Sequence, residues 1–297
     1  MFSGAFTALV TPFRNGQVDV EALEGMVEFQ IQNGIHGLVP CGTTGETPAM
    51  SEEEDRLVIG TVVRVANGRV PVIAGTGSNS TDTAIKYTKM AEEVGADGSL
   101  QVSPYYNKPT QEGLYRHFAA VAESTDLPII LYNIPGRTSV TIDAETTARL
   151  AEIPNIVGTK EATLSMNMAM DVMSLCGEDF DVLSGDDPVT LPLMSLGGRG
   201  VISVASNVAP AAVSDMVNAL LMGNWERGCE LHYDLLPLFR ALFMETNPIP
   251  VKTAASILGL CSDEMRLPMV PLQGENLDTL RRVMEESNHL LPTPEEV

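Results

Sequence analysis

The sequence predicts an α/β protein that folds as a closed (β/α)8 barrel, a TIM barrel, with a small C-terminal helical bundle. Eight apolar, β-branched runs recur along the first part of the chain, and each is followed by a polar or glycine-rich turn and then a segment of helical periodicity. The runs lack polar alternation, which is typical of strands buried on both faces of a parallel sheet. Eight repeats within roughly 210 residues favour a closed barrel over an open doubly wound sheet.

The predicted strands are short, and each ends at a turn rich in glycine, proline or polar residues, which break strands. They begin near Gly4, Gly37, Val70, Ser99, Pro128, Ile156, Phe180 and Gly200. In such barrels the chemistry gathers at the C-terminal ends of the strands. The residues that close these runs are therefore the candidates for catalysis.

The segments between the runs predict amphipathic helices. Leu23 and Met26, for example, fall on the same face of the first one. Ser51 followed by Glu54 predicts a capping box at the start of another. The carboxylates of residues 52–55 suit the positive end of a helix dipole, so we interpret them as a helix start rather than a metal site.

The remainder of the chain predicts helices only. Helical periodicity covers residues 211–243, 251–258 and 276–287. The proline-rich segment Asn247–Pro250 interrupts the pattern. We interpret this part as the eighth barrel helix followed by an appended bundle. The predicted division is a catalytic (β/α)8 barrel over residues 1–223 and a C-terminal helical extension over residues 224–297.

Composition excludes several classes of function. The net charge is −21, from 18 basic and 39 acidic residues, which argues against nucleic acid as a partner. No uncharged apolar run reaches about 18 residues, so we expect no membrane-spanning helix. The first residues lack the pattern of a signal peptide, which predicts a cytoplasmic protein. We expect free thiols at Cys41, Cys176, Cys229 and Cys261.

Lys160 closes the sixth run, and the chain has only five lysines. A lysine at this place points into the mouth of the barrel or needs a partner, because a buried ammonium is costly. Burial also lowers its pKa, and a neutral amine can attack a carbonyl to form a Schiff base. The alternative is an internal ion pair with Glu161 or Glu46. Position alone leaves both interpretations open.

Tyr132 closes the fifth run and Arg137 follows in the next loop. A tyrosine at the mouth can transfer a proton to and from a reacting atom, although buried tyrosines more often pack and hydrogen-bond. Arg137 is suited to a bidentate grip on a substrate carboxylate, and its alternative is a surface salt bridge.

Two further strand ends carry polar groups. The loop Gly42–Glu46 can present backbone amides and threonine hydroxyls to a carboxylate or phosphate, and it is not a Walker loop. Asp186 and Asp187 suggest magnesium, but Asp187 before Pro188 also predicts a helix entry with the aspartate as its cap. The histidines have no ligand spacing, so we expect neither a metal nor a cofactor.

Together these motifs resemble one family. They are GTTGE at 42–46, SPYYNKP at 103–109, YNIPGRT at 132–138, GTKEA at 158–162, SGDD at 184–187 and GVISV at 200–204. The chain is similar over nearly its whole length to the dihydrodipicolinate synthase and N-acetylneuraminate lyase family. The resemblance implies a lyase of the diaminopimelate and lysine pathway that condenses pyruvate with L-aspartate 4-semialdehyde through a lysine Schiff base, giving 4-hydroxy-tetrahydrodipicolinate.

The same resemblance implies catalytic roles. Lys160 is the amine that forms the Schiff base with pyruvate. Tyr132 is the general acid and base, linked through Thr44 to Tyr106, which in this family comes from a neighbouring subunit. The family also implies a homo-oligomer, most commonly a homotetramer built as a dimer of dimers.

Substrate-binding roles follow in the same way. Thr43 and Thr44 hold the pyruvate carboxylate, Arg137 binds the carboxylate of the semialdehyde, and Gly185 and Ile202 line the pyruvate pocket. A sibling pyruvate-dependent aldolase, acting on a sugar acid or a hydroxyproline-derived acid, is the alternative. In the sugar-acid lyases of the family that this chain resembles, small or apolar residues follow YNIP, so Arg137 favours the synthase.

One departure concerns regulation. In this family, the members that L-lysine inhibits carry histidine at the positions that match Glu52 and Asp55, and glutamate at the position that matches Thr83. The missing carboxylate at Thr83 removes a partner for the lysine ammonium. The sequence therefore predicts weak or absent inhibition.

Overall fold

The computed structural model describes residues 2–293. Eight parallel strands form one nearly closed barrel: β1 Gly4–Ala8, β2 Gly37–Val39, β3 Ile73–Gly75, β4 Gly98–Val102, β5 Ile129–Asn133, β6 Ile156–Glu161, β7 Asp181–Ser184 and β8 Gly200–Ser203. They hydrogen-bond in the order β2-β1-β8-β7-β6-β5-β4-β3. A parallel bridge between Leu38 and Val72 joins β2 to the residue before β3 and brings the two ends together. The predicted TIM barrel is confirmed.

Helices surround the barrel: α1 Val20–Gln32, α2 Glu52–Ala66, α3 Thr81–Glu93, α4 Gln111–Ala122, α5 Ala144–Ala151, α6 Met166–Cys176, α7 Thr190–Ser195 and α8 Pro210–Leu221. Leu23 and Met26 of α1 are buried, as predicted. The capping box of α2 is also present, because Ser51 Oγ accepts from Glu54 N at 3.3 Å and Ser51 N donates to Glu54 Oε2 at 2.9 Å.

Both faces of the strands are buried, which explains their unbroken apolar runs. One set of side chains, including Phe6, Leu100 and Ile130, fills the barrel interior. The alternate set packs between the strands and the helices. Gly75 shows how tightly the strand ends meet, since a Cβ atom there would lie 2.2 Å from the carbonyl oxygen of Cys41. Glycine therefore lets β3 approach the loop that follows β2.

The C-terminal part contains α9 Trp225–Ala241, α10 Ile249–Ile257 and α11 Gly274–Glu286. The helical pattern over 211–243 contains α8 and α9, which are separated by a turn at Gly223, whose φ is +75°. These helices share one apolar core with the barrel. The division at residues 223 and 224 stays a prediction, and residues 1 and 294–297 of the predicted ranges lie outside the described residues.

Three further features were absent from the sequence prediction or bear on its exclusions. Phe13–Arg14 and Gln17–Val18 form a short antiparallel hairpin after β1. The four cysteines are free thiols, as expected. Within residues 2–293, no helix has the length and apolar character that a membrane crossing needs.

Candidate active site

Lys160 and Tyr132 lie side by side at the C-terminal end of the barrel. Lys160 is the last but one residue of β6, and Tyr132 is its direct partner on β5. Both side chains are 5% exposed. The Nζ atom of Lys160 lies 4.3 Å from the centroid of the Tyr132 ring. A strand lysine and a strand tyrosine are thus held together by the hydrogen bonds of the sheet.

The environment of Lys160 favours the neutral amine. Burial lowers the pKa of Lys160 to about 8, the negative charge of Asp187 opposes this change, and the positive charge of Arg137 reinforces it. The expected alternative of an ion pair with Glu46 is wrong, because Glu46 binds Lys252 at 2.6 Å. Glu161 accepts from the backbone N of Thr163 at 2.7 Å.

Tyr132 is held in its protonated form. Burial raises the pKa of Tyr132 to about 12, while the charge of Arg137 and a hydrogen bond with the Thr43 side chain pull the pKa downward. The expected chain from Tyr132 through Thr44 to Tyr106 is not assembled within this single chain. Thr44 Oγ1 instead accepts from Asn247 Nδ2 at 3.0 Å, and Tyr106 is 91% exposed.

The loop Gly42–Glu46 is a compact turn below the mouth of the barrel. Gly45 N donates to Gly42 O at 3.1 Å, and Glu46 N donates to Thr43 O at 3.2 Å. The loop keeps Thr43 partly accessible and buries Thr44. Two threonine hydroxyls on adjacent residues are therefore presented in different directions, one to Tyr132 and one to Asn247.

Arg137 lies in the one-turn helix Pro135–Thr138 beyond β5. Its guanidinium Nη2 donates to the carbonyl oxygen of Asn247 at 2.9 Å, and the side chain is exposed at the mouth. Within residues 2–293, Arg137 forms this hydrogen bond and not the surface salt bridge that was the alternative. Asn247 thus contacts both Thr44 and Arg137. Sequence reasoning assigned it no role, because Asn247 lies in the proline-rich segment that interrupts the helical pattern.

The expected role of Asp187 as a helix cap is wrong: Asp187 is the first residue of the turn Asp187–Val189, and its carboxylate holds the chain after β8. Its carboxylate accepts from Ser203 Oγ at 2.5 Å, Val204 N at 3.0 Å and Ala205 N at 3.1 Å. Burial raises the pKa of Asp186 to about 6. Among residues 2–293, no group of histidine, cysteine, aspartate and glutamate side chains could hold a metal ion.

Gly185 directly follows β7, the strand next to β6, and Ile202 lies on β8, one strand further along the barrel. A Cβ atom on Gly185 would lie 3.1 Å from Lys160 Cγ and 2.7 Å from Ala162 Cβ, so glycine leaves the space beside the lysine free. Ile202 is 1% exposed and belongs to the apolar filling of the barrel.

A cavity of about 350 Å³ opens beside this group. Its wall includes Tyr132, Thr43 and Arg137, and it extends towards Thr83 and Tyr105. Lys160 is not on the wall but lies against the ring of Tyr132. The arrangement combines an amine of lowered pKa, a phenol and a guanidinium, which suits the chemistry of a carbonyl compound that bears a carboxylate.

Comparisons with known proteins agree with this chemistry. Residues 1–287 match the model of the dihydrodipicolinate synthetase family. A 4-hydroxy-tetrahydrodipicolinate synthase of Citrifermentans bemidjiense is 56% identical over 286 residues, which are 96% of this chain and 99% of that protein.

Solved structures give the same result. The dihydrodipicolinate synthase of Aquifex aeolicus is 51% identical, with a TM-score of 0.96 over 98% of this chain and 100% of that one. A monomeric dihydrodipicolinate synthase variant is 46% identical, with a TM-score of 0.95 over 98% of each chain.

Proposed function

The chain belongs to the dihydrodipicolinate synthetase family, and from this membership and the buried Lys160 we propose that it is a lyase that condenses pyruvate with L-aspartate 4-semialdehyde to give 4-hydroxy-tetrahydrodipicolinate. The reaction belongs to the diaminopimelate and lysine pathway. The observation that carries the proposal is the burial of the Lys160 amine against the Tyr132 ring at the C-terminal end of the barrel, which lowers the pKa of the amine.

The first step is Schiff-base formation. The neutral Nζ of Lys160 attacks the C2 carbonyl carbon of pyruvate, and the carbonyl oxygen leaves as water once it has been protonated. Tyr132 supplies and recovers the protons, because its hydroxyl is protonated at neutral pH. Thr43 and Thr44 bind the pyruvate carboxylate, and Gly185 and Ile202 border the imine.

The second step forms the carbon–carbon bond. Loss of a methyl proton from the imine gives an enamine, whose carbon attacks the aldehyde of the semialdehyde, and the new alkoxide takes up a proton. Arg137 binds the carboxylate of this second substrate, since its guanidinium stands exposed at the mouth. The amino group of the semialdehyde then attacks the imine carbon, closes the ring and releases the Lys160 amine.

We propose that Tyr106 contributes to the active site of a neighbouring subunit. It is 91% exposed and its φ is +71°, a conformation that costs energy for a residue with a bulky side chain. Such a tyrosine fits a contact with a second copy of the chain. We propose a homotetramer, built as a dimer of dimers, in which Tyr106 joins Thr44 and Tyr132 of its neighbour.

The cytoplasmic location predicted from the sequence is also part of the proposal, and the free cysteines support a reducing compartment.

The decisive experiment supplies pyruvate and L-aspartate 4-semialdehyde together and follows the consumption of both. We expect the wild-type protein to consume both, Lys160→Ala to be inactive, and Arg137→Ala to have a raised KM for the semialdehyde. Lys89→Ala on the exposed face of α3 is the matched control and should behave as wild type. Inactivity of the wild type here, with cleavage of a keto-deoxy sugar acid, would contradict the proposal.

A further inference from the structure

Lys252 carries an ammonium group in the first turn of α10, yet its side chain is completely buried. Its Nζ atom donates to Glu46 Oε1 at 2.6 Å and lies 4.1 Å from the centroid of the Phe13 ring. Removing two charges from water costs several kcal/mol, and an apolar replacement of similar volume is often equally stable. Stability alone is therefore a poor explanation for this ion pair.

Glu46 is the last residue of the threonine loop. Its backbone adopts a left-handed conformation, with φ of +57°, and its N–H donates to the carbonyl oxygen of Thr43. Its second carboxylate oxygen accepts from the backbone N of Arg266 at 3.2 Å. The carboxylate thus joins the loop to two separate parts of the C-terminal region.

The segment before α10 reaches the same loop from another side. Asn247 donates to Thr44 Oγ1 and accepts from Arg137, while the backbone N of Lys252 donates to the carbonyl oxygen of Pro248 at 3.0 Å. Residues 247–252 therefore form one continuous unit at the start of α10. The ion pair fixes the position of this unit, and with it the position of Asn247, which contacts both Thr44 and Arg137.

We infer that Lys252 is a positioning residue: through its ion pair with Glu46 it holds the threonine loop and Asn247 in the arrangement that binds the carboxylate of pyruvate. This inference rests on the proposed function. It assigns the buried pair to substrate binding, and it predicts that loss of the pair weakens binding of pyruvate before any second substrate is present.

Borohydride trapping with pyruvate alone measures this step, because reduction of the imine leaves a pyruvate-derived mass on Lys160. In Lys252→Met, which keeps the length of the side chain without its charge, we expect the half-saturating pyruvate concentration to rise about tenfold. The double variant Lys252→Met/Glu46→Gln also removes the carboxylate that Lys252→Met leaves buried without its lysine partner. Its thermal stability should therefore recover, while its half-saturating pyruvate concentration stays raised. Arg64→Met, which breaks the exposed pair of Arg64 with Glu24, is the control and should match wild type.

The outcomes separate the two proposals. A wild-type protein that pyruvate and borohydride do not label would refute the proposed function. If the wild type is labelled and the folded double variant is half-saturated at the same pyruvate concentration, the pair is structural only and the inference is wrong. Where both variants fail to fold, Glu46→Gln gives the same readout, with a rise supporting the inference and an unchanged value overturning it.

Discussion

Lys160 and Tyr132 are direct partners in the parallel pairing of β5 and β6, and the Nζ atom of the lysine lies 4.3 Å from the centroid of the tyrosine ring. Residues in register on adjacent strands point to the same side of the sheet, so both side chains face the barrel interior. Because the strands are hydrogen-bonded along their length, the amine and the phenol keep a constant spacing. The first prediction concerns the protonation of that amine.

Imine formation at low pyruvate concentration should rise with pH and level off above about 8. The neutral amine is the nucleophile, and burial lowers the pKa of Lys160 to about 8, so each pH unit below that value leaves about tenfold less of it. Borohydride trapping over short times, from pH 6 to 10, measures the profile. A midpoint near the ordinary value of 10.5 would show that the lysine is not desolvated.

Asp186→Asn should move this midpoint to lower pH. The carboxylate of Asp186 raises the pKa of Lys160, so its removal leaves desolvation less opposed. Asp171→Asn on the exposed face of α6 is the matched control and should leave the profile unchanged. A midpoint that stays in place in Asp186→Asn would mean that this charge does not act on the lysine.

Tyr132→Phe should separate proton transfer from packing. The ring beside Lys160 is kept, so the protein should fold normally, but the hydroxyl to which we assign proton transfer is lost. General acid–base catalysis is typically worth about 100-fold or more. We expect turnover to fall by at least that factor, measured in the assay with both substrates. Turnover within a few-fold of wild type would assign the tyrosine to packing.

Gly185→Ala should hinder the lysine directly. The new Cβ would press against Ala162 and against Lys160 Cγ, and overpacking of this kind costs about 1–3 kcal/mol. Thermal unfolding should show a lower Tm, and trapping by pyruvate should be slower. Gly60→Ala in α2 is the control, because a Cβ there meets no atom within 4 Å, and its kinetics should be unchanged.

Tyr106 can be tested by mixing two inactive subunits. If Tyr106 completes the site of its neighbour, a hybrid of Tyr106→Phe and Lys160→Ala subunits contains one intact site. Random pairing after unfolding and refolding together should restore about a quarter of wild-type activity. Each variant refolded alone is the control. No gain on mixing would place the tyrosine outside the neighbouring site.

L-lysine should inhibit weakly or not at all. The cavity extends to Thr83, which offers no carboxylate, while the Glu52 carboxylate is already paired with Lys86 at 2.5 Å. Thr83→Glu adds the missing charge and should lower the concentration of L-lysine that halves activity. Inhibition of the wild type at micromolar L-lysine would contradict the prediction.

Patterns within short stretches of the sequence were enough to predict the barrel and its helices. The eight apolar runs, the capping box at Ser51 and the position of Lys160 at a strand end are all visible in short stretches of sequence. These features depend on residues that are near neighbours along the chain. The closed barrel also follows, because the runs are apolar throughout, as in strands buried on both faces, and because eight of them lie within roughly 210 residues.

Only the tertiary structure decided which groups meet across the chain. Lys252 lies 206 residues from Glu46, and Asn247 lies 203 residues from Thr44. No periodicity or spacing relates such distant positions, so the sequence assigns no role to Lys252 or to Asn247. Whether a charged side chain is buried, and which partner it finds, depends on how the C-terminal helices pack on the barrel. The sequence alone therefore determined the barrel and the place of Lys160 at a strand end, whereas the partners of Glu46 and Thr44 were set by long-range packing.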